Sequence, residues 1–289
     1  MNNGCYPHGI SIVSSAGADS QIAGVLAGFV FIGITLLLGR RRLKNIQTLC
    51  LFSATFVAQG FDSQLWSVIS GSSANLNCSR LWSETMVATG LLAVGGMAIV
   101  TGISWLLYSH LDQPIRSRDA SSTMQNKPVI NPNWFIRIMA YGVGVTVTLL
   151  MAVTSKEFLY AAFSSHAPTA SNWITIISPI SVFAVPAGLT VLGRIRHGRD
   201  KRIIPYKGLE VAAYGILGYA VAGPVFGGVV VQLGVSSWQP PSGVLVGATI
   251  ALGLAIPALL VISLVHAVPP LPWPPEALPD TKTATTDHE

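Results

Sequence analysis

The side chains best suited to chemistry lie on one weakly apolar stretch, residues 46–68. Four of them recur at intervals of three or four and therefore share one helical face: Thr55, Gln59, Asp62 and Trp66. Asp62 lies about 24 Å along that helix from Ile46, still within a bilayer, where a charge needs a partner, water or a ligand. The stripe has two interpretations. It forms an ion or ligand site near the outer mouth of a bundle, or it supplies structural hydrogen bonds near the interface.

Glu84 extends this candidate site, because two carboxylates that approach each other can hold a cation or change one another's proton affinity. Other ionisable groups fall at the same ends of the predicted helices: Asp19, Arg80, Lys156, Glu157 and His166. Rim charges of this kind usually stay solvated and contribute little. The predicted site is therefore Asp62 with Gln59, Thr55, Trp66 and Glu84.

The three cysteines fall in different places. Cys5 and Cys78 share the predicted external side, so we expect a disulfide between them if that compartment is oxidising. Cys50 lies within the second predicted helix, where a small buried hydrophobic side chain is the expected role.

No residue pattern supports catalysis. The six histidines are scattered without paired metal-ligand spacing. The chain also has no P-loop, dinucleotide fingerprint, G-x-S-x-G elbow or H-E-x-x-H helix. We therefore expect no catalytic residue, no metal centre and no cofactor.

Hydrophobic runs must position these residues. The chain is 51% hydrophobic and 10% charged, whereas soluble domains carry about a quarter charged residues. Seven runs have the length needed to cross about 30 Å of hydrocarbon: residues 21–38, 46–68, 86–108, 134–153, 173–192, 211–233 and 244–265. The second run is the least apolar, because Gln and Asp side chains interrupt it.

Charge asymmetry indicates the orientation. With seven crossings, all Lys and Arg residues except Arg80 and Lys156 fall on one side, as the positive-inside rule expects of the cytoplasmic face. If residues 46–68 did not cross, the largest basic cluster would be external. That cluster is a candidate contact for anionic lipid or an acidic partner: Arg194, Arg196, Arg199, Lys201 and Arg202. Since the membrane explains the net charge of +5, no nucleic-acid partner is expected.

The sequence therefore predicts an all-α integral membrane protein, a bundle of seven transmembrane helices with its N-terminus outside and its C-terminus cytoplasmic. Residues 1–20 form an external segment, residues 21–266 the seven-helix domain, and residues 267–289 a proline-rich, disordered cytoplasmic tail. We expect a plasma or cytoplasmic membrane and contact with its lipids.

Small and aromatic residues suggest how the helices pack. Three glycine pairs have the small-xxx-small spacing that lets helices approach within the bundle, in a homo-oligomer or with a membrane-complex partner: Gly24 with Gly28, Gly223 with Gly227, and Gly243 with Gly247. Trp66, Trp82 and Trp105 fall at helix ends, where we expect the indole N–H to remain hydrated at the interface.

Two functions remain open. A transport, channel or pore-type component agrees with the polar stripe, the glycine-rich helices and the prolines of the later spans. The alternative is a non-catalytic sensor or accessory subunit of a membrane complex. A seven-span receptor is not indicated, because the third span lacks an acidic-Arg-aromatic ending and the seventh lacks both an Asn-Pro-x-x-Tyr motif and a lysine for retinal.

The orientation is testable with topology reporters. A reporter after Lys207 should be cytoplasmic and one near Trp238 external, because the basic residues fall on one side. Reversal of either reporter would rule out the seven-span arrangement.

Overall fold

A computed structural model of the chain describes residues 12–39, 46–71, 78–116, 132–163, 206–233 and 243–268. These stretches are helical apart from single turn residues at their ends. The helices are α1 (Ile12–Leu38), α2 (Ile46–Ser70), α3 (Cys78–Arg116), α4 (Pro132–Phe163), α5 (Tyr206–Leu233), α6 (Gly243–Ile250) and α7 (Ile256–Ala267), with a π-helical turn at Ala251–Ala255. The last three elements run on as one helix, since Ile250 and Ile256 both keep helical backbone angles.

Six of the seven predicted spans coincide with described helices, and the predicted span 173–192 lies outside the described residues. Several helices are longer than their apolar runs. α1 begins at Ile12 and so includes part of the segment predicted as external, and α3 extends from Cys78 to Arg116. Hydrophobicity marks only the part of a helix in hydrocarbon, whereas backbone hydrogen bonding continues into the interface.

Five of the described helical segments are long and apolar enough to cross a membrane: Ile12–Leu38, Leu81–Leu107, Ile138–Leu159, Gly208–Gly228 and Gly247–Ala267. α2 is not among them, because it carries the polar stripe. The chain is thus an integral membrane protein built from transmembrane helices.

α3 forms the centre of the described bundle and contacts each of the other described helices. In its apolar stretch 72% of the residues are buried, against 17% in α1. α1 packs chiefly on α2, and most of its large apolar side chains remain on the outer surface. In a membrane that surface faces lipid, which is as apolar as the side chains themselves.

Glycines allow the close contacts. A Cβ placed on Gly102 would lie 2.7 Å from the Phe52 ring, and one on Gly253 would lie 2.7 Å from Met86. Of the glycines with small-xxx-small spacing, Gly223 is tight, with Val87 at 2.8 Å from such a Cβ, whereas Gly28 and Gly247 have no neighbour within 4 Å. The spacing motif therefore identified only part of the packing.

Cross-helix contacts give the directions of the helices. Gly95 faces Gln59 and Gly102 faces Phe52, so α2 and α3 are antiparallel. Gly90 faces Tyr219 and Val87 faces Gly223, so α3 and α5 are antiparallel as well. Hydrogen bonds from Thr101 to Leu264 O (3.4 Å) and from Trp105 Nε1 to Ala267 O (3.0 Å) show that α3 and α7 run parallel.

Pro257 coincides with the departure from α-helical geometry. It lacks an N–H, and its ring conflicts with the carbonyl four residues earlier, that of Gly253. The π-helical turn Ala251–Ala255 contains that carbonyl. The irregularity packs on α3, where Met86 approaches Gly253 and Gly90 approaches the Pro257 ring.

Substitution of neighbouring glycines tests this packing. Gly102→Ala places a methyl group against the Phe52 ring and should destabilise the protein by about 1–3 kcal/mol through overpacking. Gly96→Ala is the matched control, since no atom lies within 4 Å of its Cβ position, and it should be neutral or stabilising because alanine favours helix. Thermal unfolding in detergent compares the two. Equal melting temperatures would contradict the packing described here.

Candidate functional site

The structure places the predicted polar stripe of α2 inside the bundle. Thr55, Gln59 and Asp62 have 0% of their surface exposed, and Trp66 has 5%. The spacing of three and four residues accounts for this, because it keeps all four on the side of α2 that packs against its neighbours.

Buried hydroxyl groups elsewhere in the described chain make hydrogen bonds. Thr55 donates to Leu51 O at 2.7 Å, Thr85 to Leu81 O at 2.8 Å and Ser155 to Met151 O at 2.7 Å. The indole N–H of Trp105 donates to the end of α7. Polar groups buried in an apolar medium are ordinarily satisfied in this way.

The other polar side chains of the stripe depart from this pattern. Both carboxylate oxygens of Asp62, both polar atoms of the Gln59 amide and Nε1 of Trp66 are buried without a hydrogen-bond partner among the described residues. The Trp66 indole lies beside the Asp62 carboxylate, but its N–H is not in hydrogen-bonding geometry. An uncompensated buried polar group costs about 1–3 kcal/mol and a charge more. The two interpretations of the stripe, an ion or ligand site and a structural hydrogen-bonding role, therefore both stay predictions.

α3 and α5 pack against these residues on two sides. What we call the Asp62 cluster comprises Asp62, Gln59, Trp66 and Tyr219. The Gln59 amide nitrogen lies against Gly95, and the Tyr219 hydroxyl lies against Gly90. Tyr219 is 3% exposed and donates its hydrogen to Val87 O at 3.3 Å.

Tyr219 and Asp62 lie at nearly the same height along the axis of the bundle. Gly90 precedes Gly95 by five residues, which places Tyr219 about 7.5 Å along α3 from Gln59. Asp62 is three residues from Gln59 in the same direction, about 4.5 Å along α2.

α1 adds a second acidic residue. Ser20 Oγ donates to Ser63 O at 3.0 Å, and Ser63 Oγ donates to Ser20 O at 3.1 Å, which fixes α1 against α2 at this level. Asp19, next to Ser20, is half-buried. Since Ser20 contacts Ser63, which follows Asp62, Asp19 lies in the same region as Asp62. The partly exposed carboxylate of Asp19 on α1 thus neighbours the buried carboxylate of Asp62 on α2.

Glu84 is buried, with 4% of its surface exposed, but lies at a different level. The contacts of Gly95 with Gln59 and of Gly102 with Phe52 align Asp62 with about residue 92 of α3. Glu84 precedes that position by about eight residues, or about 12 Å along the helix axis. The structure does not bring Glu84 to the level of Asp62.

Two expectations about single residues are wrong. Cys50 is exposed on the outer surface of the bundle instead of buried, since it lies on the side of α2 opposite the stripe. Trp66, Trp82 and Trp105 are each 5% exposed, so their rings pack inside the bundle instead of being hydrated, and their depth in a membrane stays a prediction. Position at a helix end does not determine which face a side chain occupies.

Other predicted sites lie outside the described residues. Cys5 is not described, nor is the side chain of Cys78 at the start of α3, so their disulfide stays a prediction. The same holds for the basic cluster Arg194, Arg196, Arg199, Lys201 and Arg202.

Within the described stretches, no three His, Cys, Asp or Glu side chains come together to hold a metal ion. The chain matches no protein-family model, no curated protein and no solved structure. The geometry around Asp62 is therefore the basis for any functional conclusion.

Sequence reasoning missed Tyr219, Gly90 and Gly95. Tyr219 lies in an apolar run with no polar periodicity, and neither glycine belongs to a small-xxx-small pair. Their importance follows from which helices meet, which one sequence does not specify.

The unpartnered carboxylate makes a prediction about stability. Asp62→Asn removes the carboxylate at nearly constant volume, so in alkaline buffer without inorganic salt, where the carboxyl group is ionised, it should stabilise the protein by roughly 1–3 kcal/mol, a rise of a few degrees in melting temperature. Asp19→Asn is the control and should change it less, because Asp19 is only half-buried. A lower melting temperature for Asp62→Asn would show that the carboxylate has a stabilising partner in the folded protein.

Proposed function

We propose that this protein is a small transport or channel-type membrane component that binds a small cation at Asp62. One observation carries the proposal: a carboxylate and a neighbouring amide are fully buried in a helical bundle, with no hydrogen-bond partner among the described residues. Ionisable residues inside membrane bundles are costly and usually belong to ion or substrate sites.

The proposal includes seven crossings, with the N-terminus outside and the C-terminus in the cytoplasm of a plasma or cytoplasmic membrane. α3 and α5 are antiparallel, and residues 117–131 are too polar to cross, so α4 starts on the face where α3 ends. α4 and α5 then cross in the same direction. This requires one further crossing between them, which supports the predicted span 173–192.

The distribution of basic residues supports the orientation. Arg40, Arg41, Arg42 and Lys44 connect α1 to α2, Arg116 ends α3, and Lys207 lies in the first turn of α5. These positions share one face of the seven-span arrangement, and the positive-inside rule assigns that face to the cytoplasm. Asp62, late in α2, and Asp19, early in α1, then lie towards the outside.

A transport role accounts for Asp62 better than an accessory role does. A subunit that only binds a partner gains nothing from an unpaired charge in its own interior, where an apolar residue would be more stable. A site for a cation needs that charge. Because Asp62 has no exposed surface, the structure corresponds to a closed state, and the cation must gain access through movement of the surrounding helices.

The side of α1 is the route of access that we propose. α1 is the most peripheral described helix, and Asp19 on it lies partly exposed beside the site. Movement of α1 relative to α2 would connect the two carboxylates, and a negative charge on this route would concentrate cations near its opening.

Flux measurements in proteoliposomes test the proposed function. Wild-type protein should increase the uptake of ²²Na⁺, ⁸⁶Rb⁺ or protons above that of empty liposomes, and Asp62→Asn should abolish the increase, because it removes the charge and keeps the side-chain volume. Gln64→Ala is the matched control, since Gln64 lies on α2 near Asp62 but points outward, and it should retain the flux.

Melting temperature and reconstitution yield are measured in parallel for all three proteins. No flux of these cations with well-folded wild-type protein, or equal flux with Asp62→Asn, would reject the proposal and leave the accessory-subunit hypothesis ahead.

A further inference from the structure

We propose that the Asp62 cluster binds a single dehydrated Na⁺ ion, held by oxygen atoms of α2 and α5. This inference deepens the proposed function by naming the cation and its ligands. It concerns equilibrium binding, so it can hold even if the protein moves no ion across the membrane.

Three of the unpartnered atoms in the Asp62 cluster are oxygens, both of Asp62 and Oε1 of Gln59, and two are N–H donors, Nε2 of Gln59 and Nε1 of Trp66. Tyr219 has donated its hydrogen to Val87 O. Its hydroxyl oxygen therefore retains lone pairs but no free hydrogen. A cation without protons suits these oxygens, because the carboxylate supplies the opposite charge.

The Asp62 carboxylate and the Gln59 amide provide the strongest ligands. Both Asp62 oxygens and Gln59 Oε1 are without hydrogen-bond partners in the described chain. The amide nitrogen of Gln59 is the atom against Gly95, so the amide oxygen is on the other branch of the side chain. Carboxylate, amide and hydroxyl oxygens are hard ligands, which bind hard cations rather than thiophilic metals.

Charge favours a monovalent ion. Among the described residues, Asp62 is the one fully buried carboxylate at this level, and Glu84 lies about 12 Å along the axis from it. Asp19 is only half-buried and lies towards the surface. One positive charge neutralises Asp62, whereas a divalent ion would leave an excess charge in a medium where uncompensated charge is costly.

Space favours an ion without its hydration shell. Gln59 and Tyr219 are each in close contact with an α3 glycine, and Asp62 and Gln59 have no exposed surface. The backbone of α3 thus limits the site on one side, and an organic ammonium ion would need the helices to separate. A small inorganic ion can replace its water ligands with the oxygens of the cluster.

Binding is measured with ²²Na⁺ by scintillation proximity on purified full-length protein in detergent, in buffer that contains N-methylglucamine as the other cation. Wild-type protein should bind about one Na⁺ per chain, and replacing N-methylglucamine by Na⁺ should raise the melting temperature by several degrees, because a ligand that binds only the folded state stabilises it. Asp62→Asn should lose both effects. Gln59→Met, which retains volume but lacks the amide oxygen, should weaken binding about tenfold or more.

Gln64→Ala should bind Na⁺ as the wild type does, because its side chain points away from the site. Absence of ²²Na⁺ binding to folded wild-type protein would overturn the proposal, as would binding unchanged in both Asp62→Asn and Gln59→Met. Stronger competition by Ca²⁺ or K⁺ than by unlabelled Na⁺ would overturn the assignment to Na⁺. Stabilisation by acid alone, without a response to Na⁺, would assign a proton to Asp62 instead. Na⁺ binding without flux would reject the transport function and retain the site.

Discussion

The close approach of α2 and α5 to α3 is the constraint on which the described bundle depends. It exists because α3 carries glycine at the contact points: Gly102 receives the Phe52 ring, Gly95 the Gln59 amide and Gly90 the Tyr219 hydroxyl. Helices in lipid gain no hydrophobic free energy from associating, so van der Waals contact and internal hydrogen bonds must hold them together. Both terms require short distances. The same glycines therefore stabilise the bundle and leave Asp62 and Gln59 without exposed surface.

Most of the bundle satisfies its polar groups locally, and this makes the Asp62 cluster distinctive. Buried Thr and Ser hydroxyls donate to carbonyls one turn earlier in their own helices, which needs no partner helix. A carboxylate or a Gln amide has no equivalent arrangement, because it needs donors or a cation from elsewhere. Asp62 and Gln59 find neither among the described residues. The cost of keeping them is unexplained by packing, since Gly95 and Gly90 would equally accommodate apolar side chains of similar length. The cation site proposed above would account for that cost.

The sequence predicted the individual helices well and their mutual arrangement poorly. Apolar runs identified five membrane-spanning helices, and the spacing of Thr55, Gln59 and Asp62 indicated their shared face, because both signals are contained within one helix. Charge asymmetry gave the reason to include α2 as a span despite its polarity. The contacts between helices were not accessible in this way. Nothing local to Tyr219 connects it with Asp62, and Trp66 or Trp105 at a helix end is equally compatible with lipid, interface or interior. Those assignments depend on rotation and register between helices, which hydropathy does not encode.

The attachment of α1 differs from that of the other helices and bears on how Asp62 is reached. Near the site, α1 is held by the reciprocal Ser20 and Ser63 hydrogen bonds. About 16 Å further along α2, the Phe52 ring lies between α1 and α3: a Cβ on Gly33 would be 3.7 Å from one edge, and one on Gly102 would be 2.7 Å from the other. The Phe52 ring is therefore in tight contact with α3 and in ordinary van der Waals contact with α1. The serine hydrogen bonds are exchangeable, because each hydroxyl can return to a carbonyl of its own helix, as Ser15 bonds to Ile12 O. Separation of α1 from α2 at the Ser20 level would open the bundle next to Asp19 and Asp62, on the side from which the proposed cation would enter.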